Sequence, residues 1–254
     1  MGHVQEDFKC QDLSVDQWKE VEVRNDVTGE VDLEDIWTGE KVMEDKSEEK
    51  YLGDIISIDG RNLKNIKARI AKGKGIVDKI LNMVDAIPFG KLYFEIGMVL
   101  RNSLLVSSIL FNSEAWYNVT NSELDLLETI DVEFLRKLLN APRGTPKEML
   151  FLELGCIPLR EIIIERRLEF LHYILNGDEE SMVNKFFKSQ LKNKTKKDWV
   201  NSVLDDLESL GLADLSWEHI RSMKKGIFMN LVKEKIEVKA FENLEKKEKI
   251  SFQS

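Results

Sequence analysis

The stretch KYLGDIISIDGRNLKNIKARIAKGKGIVDK, Lys50–Lys79, decides the fold that we expect for this chain. It begins with a short apolar strand, Tyr51 to Ile58, and reaches a turn signal at Asp59-Gly60. A helical pattern rich in basic residues follows. Its basic residues are Arg61, Lys64, Lys67, Arg69, Lys72, Lys74 and Lys79. A strand followed by a basic helix is typical of a surface that tracks a phosphate backbone.

The charge of the chain is unevenly distributed around this stretch. The formal net charge is −9. Residues 1–59 hold six Lys/Arg and 18 Asp/Glu, residues 60–101 hold nine and three, and residues 102–254 hold 22 and 25. Because screening confines electrostatic attraction to about 10 Å, a locally positive helix can bind an anion on an acidic protein. From charge alone, a solvated lysine face is the alternative interpretation.

Composition limits the class of protein. The 254 residues suffice for one large or two small domains, and 43% of them are hydrophobic, as in globular proteins. Cys10 and Cys156 form no C-x-x-C pair, so we expect free thiols and no zinc site. We see no signal-peptide pattern, and the apolar run Ile96–Phe111 is interrupted by Arg101, which favours a core helix over a membrane span. We therefore expect an intracellular protein, in the nucleus or the cytoplasm.

Several motifs occur in an order that resembles one polymerase family. Tyr51-Leu52-Gly53, followed by a strand, a turn and an N-I-x-x-R-I helix, resembles the primer grip and thumb of reverse transcriptases from non-LTR (LINE-like) retrotransposons. Further elements that resemble this family are LRNSLL (residues 100–105), NSEAWY (112–117) and TPKEML (145–150). The resemblance covers the chain from roughly Phe8 to its C-terminus. The catalytic aromatic-x-Asp-Asp signature of the family is missing, and Asp205-Asp206 lies in a polar helical pattern.

The resemblance implies a mainly α fold, a thumb-like helical bundle preceded by a small antiparallel β segment from the end of a polymerase palm. Alternating residues between Glu20 and Met43 independently favour short antiparallel strands. We expect an acidic β remnant with the primer-grip-like strand at 1–58, a helical thumb-like domain at 59–176 and a helical extension at 177–254.

The resemblance also implies the function and the site. The chain is expected to be a fragment of an RNA-directed DNA polymerase that binds a template–primer duplex but does not polymerise by itself. The expected contacts to nucleic acid are Tyr51, Leu52, Gly53, Arg61, Lys64, Lys67, Arg69, Lys72, Lys74 and Arg101. Lys9 matches the lysine that the family places near the incoming triphosphate; an ordinary surface lysine is the alternative. Arg101 is expected either to contact phosphate or to pair with Glu95 or another carboxylate.

No cofactor is expected on this chain, since Mg²⁺ belongs to the intact family enzyme. The expected partners are an RNA/DNA template–primer duplex and the missing polymerase palm, and no membrane. A co-opted or decayed helical scaffold that interacts with protein and has no nucleic-acid activity is the alternative. Ser/His/Asp sets, metal clusters and nucleotide-binding loops, which an independent enzyme would need, are not found in the sequence.

Local signals predict the remaining helices. A helix is expected from about Lys91 to Trp116, and a capping box at Thr120 and Glu123 starts the next one. Arg160, Arg166 and Arg167 predict a second basic patch, and Ser216 is expected to cap a final helix that runs to about Glu245. Gly73 and Gly75 are either close-packing sites or weak points of the basic helix.

Overall fold

Helices dominate the part of the chain that the structure describes. The structure, a computed structural model, describes residues 24–25, 31–34, 41–43, 48–51, 54–57, 62–193 and 198–251. Internal contacts divide the chain into two compact units, Met1–Glu49 and Lys50–Ser254. The mainly α fold with a small preceding β segment is confirmed.

The first unit holds a small antiparallel sheet. Its strands are β1 (Arg24–Asn25), β2 (Val31–Glu34) and β3 (Lys41–Met43), in the order β1-β2-β3. Arg24 lies opposite Asp32, and Leu33 lies opposite Met43, with a register shift between Leu33 and Glu34. The short antiparallel strands predicted from the alternation are therefore present.

A strand pair precedes the basic helix. The single strand expected from Tyr51 to Ile58 is instead two strands, β4 (Glu48–Tyr51) and β5 (Asp54–Ser57), which pair with each other. The predicted turn at Asp59-Gly60 lies outside the described residues. The basic helix then begins at Leu63.

The second unit is a bundle of helices. They are α1 (Leu63–Val84), α2 (Lys91–Leu100), a π-helix (Arg101–Val106), α3 (Ser107–Ile109), a 3₁₀ turn (Ser113–Ala115), α4 (Asn121–Leu138), α5 (Lys147–Glu153), α6 (Leu159–Asn176), α7 (Met182–Asn193), α8 (Trp199–Ser209), α9 (Trp217–Ser222) and α10 (Lys225–Ser251). Two of the helices differ from their predicted extents. The helix from Lys91 ends at Ile109, and Asn112 beyond it adopts a left-handed conformation with φ 58° before the 3₁₀ turn. The predicted final helix is divided at Met223, which is extended.

Two hydrophobic cores lie within this unit. The first core joins α1, α3, α4 and α5 around side chains such as Ile80, Ile109 and Phe134. The second core joins α6, α8, α9 and α10 around side chains such as Leu168 and Phe228. Helices α6 and α10 contribute to both cores, so these helices connect the two halves of the bundle.

One described stretch passes the length and composition test for a membrane span. Lys91–Ile109 is 19 residues long and contains an 18-residue window with a mean hydropathy of 1.2. Its residues Leu105, Val106 and Ile109 nevertheless lie in the first core. The core helix that the sequence predicted is thus present, although several of its apolar side chains, such as Leu92 and Val99, are exposed.

Candidate nucleic-acid interface

Helix α1 presents a face of five exposed lysines to solvent. This lysine face consists of Lys64, Lys67, Lys72, Lys74 and Lys79. At about 100° per residue, the lysines that are seven residues apart form two rows, 67/74 and 72/79. Small exposed residues lie between the rows: Ala68, Ala71 and Gly75. The face is therefore a shallow strip with positive charge along both sides.

Few carboxylates compensate for this charge. Asp78 is the acidic residue within α1, and it forms an ion pair with Lys137 of α4 at 3.6 Å. Among the described residues, no carboxylate lies within ion-pair distance of Lys67, Lys72, Lys74 or Lys79. The positive potential of the lysine face is consequently available to an external anion.

Arg69 does not belong to this face, and its predicted contact with nucleic acid is wrong for this structure. It is only 5% exposed. Its guanidinium donates to Asp54, to Asn65 Oδ1 at 3.1 Å and to the carbonyls of Ser108 and Ile109, each at 3.3 Å. It also lies over the Trp116 ring, 5.1 Å from the centroid. Arg69 therefore fixes β5 and α3 against α1.

Asp54 is the counterpart that sequence reasoning missed. Besides the Arg69 guanidinium, its carboxylate accepts from Asn65 Nδ2 at 2.8 Å and from Asn112 Nδ2 at 2.7 Å. Three charged or polar donors on one carboxylate hold the end of the hairpin at a fixed position beside the helix. This contact places β5 beside the N-terminal half of α1.

Arg101 is also buried, which corrects its predicted phosphate contact. The residue is 1% exposed, and its guanidinium donates twice to Asp131, from Nε at 2.7 Å and from Nη2 at 2.5 Å. Burial opposes the charge, but Asp131 outweighs it, so the pKa of Arg101 is raised. The expected alternative, a carboxylate partner, is present; the partner is Asp131, whereas Glu95 pairs with Lys91.

The remaining predicted contacts are not described in side-chain detail. Tyr51 ends β4, and its side chain is not described. Lys9, Leu52, Gly53 and Arg61 lie outside the described residues. Their predicted roles stay predictions.

The second basic patch expected on α6 does not form. Arg160 pairs with Asp125 at 3.7 Å, Arg166 donates to the carbonyl of Leu110, and Arg167 is buried and donates to Asp206 at 2.7 Å. Each guanidinium is engaged by another segment of the bundle. The lysine face of α1 is thus the basic surface on which the predicted residues do converge.

Several other titratable groups in the described part are buried. His172 is buried and its Nε2 lies 3.0 Å from the Met223 carbonyl, as expected for a packed core residue. Burial raises the pKa of the Cys156 thiol to about 12. Burial likewise raises the pKa of Asp206 to about 6, opposed by Arg167. No group of three or more His, Cys, Asp or Glu residues suited to a metal ion occurs among the described residues.

A groove between α4, α5, α6, α8 and α10 was not predicted. It has a volume of about 760 Å³, and its walls come from segments as distant as Asn118 and Lys247. No local motif marks it, because each helix contributes only a few residues.

Comparison with known proteins adds no assignment: no family model, no curated protein and no solved structure matches this chain.

Proposed function

We propose that this chain binds nucleic acid through the lysine face of α1, as a thumb-like fragment of a non-LTR retrotransposon reverse transcriptase. The observation that carries the proposal is this face of exposed lysines, four of which form no ion pair with a described carboxylate. Lysines contact phosphates as point charges and read no base edges, so the expected ligand is a duplex bound through its backbone. The order of the motifs supports the family assignment, and an RNA/DNA template–primer is its expected ligand.

The proposed fragment does not polymerise by itself. Its sequence lacks the aromatic-x-Asp-Asp pair. Asp205-Asp206 does not replace that pair, because Asp206 is buried against Arg167, 2.7 Å away. Binding without synthesis is therefore the expected activity.

Charge reversal tests the lysine face. The variant K67E/K72E/K74E is expected to weaken binding to an RNA–DNA hybrid at least about tenfold and to reduce the slope of log K against log salt by about 3, as for three lost phosphate contacts. Fluorescence anisotropy from about 50 to 200 mM salt measures both quantities. The matched control is K192E/K224E/K249E, which changes the net charge equally at exposed lysines outside α1.

Two results would contradict the proposal. Equal affinity of the two triple variants would mean that net charge, and not the lysine face, determines binding. Wild-type protein that shows no salt-dependent affinity would remove nucleic acid as the ligand.

A protein-interaction scaffold is the second candidate function. Large apolar side chains are exposed near α2, among them Phe89 at 71%, Leu92 at 58% and Val99 at 64%. Exposed apolar groups of this kind occur at protein interfaces. The scaffold predicts a protein complex that is insensitive to K67E/K72E/K74E and is lost in F89D/V99D. The same variants in a pull-down therefore separate the two functions.

A further inference from the structure

The helix from Lys91 to Ile109 packs against the bundle on one side. Gly97 lies on that side, because it is buried and a Cβ at its position would lie 2.6 Å from Leu138 Cδ1. The apolar 18-residue window of this helix is only 33% buried. The side opposite Gly97 is therefore both apolar and open to solvent.

Five residues on this open side form a strip along the helix axis. This outer strip consists of Leu92, Ile96, Val99, Ser103 and Ser107, which recur every three or four residues. Leu92 is 58% exposed and Val99 is 64% exposed. Bulky side chains occupy the N-terminal half of the strip, and small ones occupy its C-terminal half.

The two serines of the outer strip use their hydroxyl protons within the helix. Ser103 Oγ donates to the Val99 carbonyl at 2.8 Å, and Ser107 Oγ donates to the Ser103 carbonyl. A bulky apolar side chain can therefore pack on this half of the strip without leaving a hydroxyl proton unbonded.

We propose that the outer strip binds the outer strip of a second copy of this chain, antiparallel, about a two-fold axis at Val99. Leu92 lies seven positions before the axis, so it is level with the segment between Ser103 and Ser107 of the other copy. Each bulky half then packs on a small half, whereas a parallel pair would set bulky against bulky. The proposal goes beyond nucleic-acid binding and does not rest on the lysine face.

Polar residues beside the strip favour the same orientation. Glu95 lies four positions before Val99 and Asn102 three after it, on the same side of the strip, so antiparallel copies bring Glu95 beside Asn102. Asn102 Oδ1 accepts from Arg101 Nη1 at 3.0 Å, and its Nδ2 is the group that would donate to the carboxylate. A parallel pair would place Glu95 opposite Glu95, which is unfavourable.

The size of the strip determines the expected affinity. Leu92 to Ser107 spans about 22 Å of helix. A face of this length buries roughly 500 Å² on each copy, a total near the lower limit of about 1,000 Å² for a specific interface. We therefore expect a reversible dimer with a dissociation constant on the order of 10 µM.

Sedimentation equilibrium of the purified full chain, without nucleic acid, tests the proposal. Between about 1 and 200 µM, the wild type is expected to change from monomer to dimer. V99D and V99K each place like charges at the two-fold axis and should weaken the dimer at least about tenfold, whereas an equimolar mixture of the two should restore it. The matched control is V238D, at a 54% exposed position of α10, which should leave the dimer unchanged.

Substitution of Asn102 tests the orientation of the two copies. N102K should tighten the dimer about threefold by pairing with Glu95 of the other copy, and N102D should weaken it by a similar factor. In a parallel dimer, residue 102 would face itself, so both variants would weaken association. Weakening by both variants would therefore overturn the antiparallel arrangement.

Three further results would overturn the proposal. One is a wild-type chain that stays monomeric up to about 200 µM, including one that captures a different protein through these residues. Another is a mixture of V99D and V99K that stays monomeric although both variants melt at the wild-type temperature. The third is a monomer that cosediments with phosphatidylcholine vesicles, which would make a lipid surface the occupant. Loss of duplex binding in K67E/K72E/K74E with dimerisation intact concerns the lysine face alone.

Discussion

Arg101 and Asp131 form an ion pair inside the first core. Their side chains are 2% and 0% exposed, and the guanidinium also donates to the Ile157 carbonyl at 3.3 Å. Taking two charges out of water is unfavourable, and here the paired geometry offsets that cost. Arg101 also begins the π-helix, so the pair lies where the helix from Lys91 departs from regular α geometry.

Removing one partner of this pair is expected to destabilise the protein strongly. R101L leaves the Asp131 carboxylate buried and unpaired, so the free energy of unfolding should fall by about 3 to 5 kcal/mol. R101L/D131L removes both charges and should recover most of that loss. Urea unfolding of the wild type, R101L and R101L/D131L measures these free energies of unfolding.

An exposed pair provides the control. Lys137 lies 2.8 Å from Glu133, and both side chains are more than 40% exposed. K137A should therefore cost less than about 1 kcal/mol. If R101L were no more destabilising than K137A, the buried pair would not have the energetic role inferred from its geometry.

At the scale of elements, local sequence signals predicted where helices start and end better than which face of a helix is buried. The capping box is confirmed: Thr120 Oγ1 accepts from the Glu123 amide at 3.3 Å, and Glu123 accepts from the Thr120 amide at 2.8 Å. The predicted cap at Ser216 is also present, since its hydroxyl accepts from the His219 amide at 3.2 Å. Caps and turns are determined by residues that are close in sequence, so short motifs are enough to predict them.

The burial of Arg69 was missed, and Arg101 was left with two alternatives, because composition does not tell which face of a helix a charge occupies. Arg69 lies in the apolar stripe that Ile66, Gly73 and Val77 define at helical spacing. The position of Arg69 in this apolar stripe was the sequence feature that could have predicted its burial. The partner carboxylates, Asp54 and Asp131, are 15 and 30 residues away from their arginines, and no local pattern indicates such pairing.

The glycines of α1 and α2 differ in what surrounds them. A Cβ at Gly73 would lie 3.1 Å from both Ile109 and Ile130, so Gly73 is a close-packing site. A Cβ at Gly75 would meet nothing within 4 Å, so Gly75 is a weak point of the helix. Gly73 therefore fits the first predicted alternative, a close-packing site, and Gly75 fits the second, a weak point of the helix.

Alanine substitution distinguishes an open glycine, Gly75, from a closely packed one, for which Gly97 of α2 is used. G75A should raise the free energy of unfolding by about 1 kcal/mol, because alanine restricts the unfolded chain and favours helix. G97A on α2 should lower it by about 1 to 3 kcal/mol, because the new Cβ would lie 2.6 Å from Leu138 Cδ1. Thermal and urea unfolding should give opposite signs for the two variants; a stabilised G97A would contradict the packing at Leu138.

At the scale of the whole molecule, the acidic charge is concentrated before the helical unit. Residues 1–49 hold five Lys/Arg and 16 Asp/Glu, so residues 50–254 hold 32 and 30, a net charge of +2. Because the negative segment is covalently linked to the helical unit, we expect it to repel a phosphate ligand of the lysine face through long-range electrostatics. The helical unit alone should therefore bind nucleic acid more tightly than the whole chain, whose net charge is −9.

A chain that begins at Lys50 tests this competition. Because the two units are separately compact, the shortened chain should keep its helical circular dichroism spectrum and its cooperative unfolding. Its affinity for an RNA–DNA hybrid should exceed that of the full chain about threefold or more near 50 mM salt, and the difference should shrink near 200 mM as screening increases. K67E/K72E/K74E in the shortened chain should abolish the gain. A gain that survives this reversal would place the binding surface outside the lysine face, and a shortened chain that fails to fold would show that the helical unit depends on the acidic one.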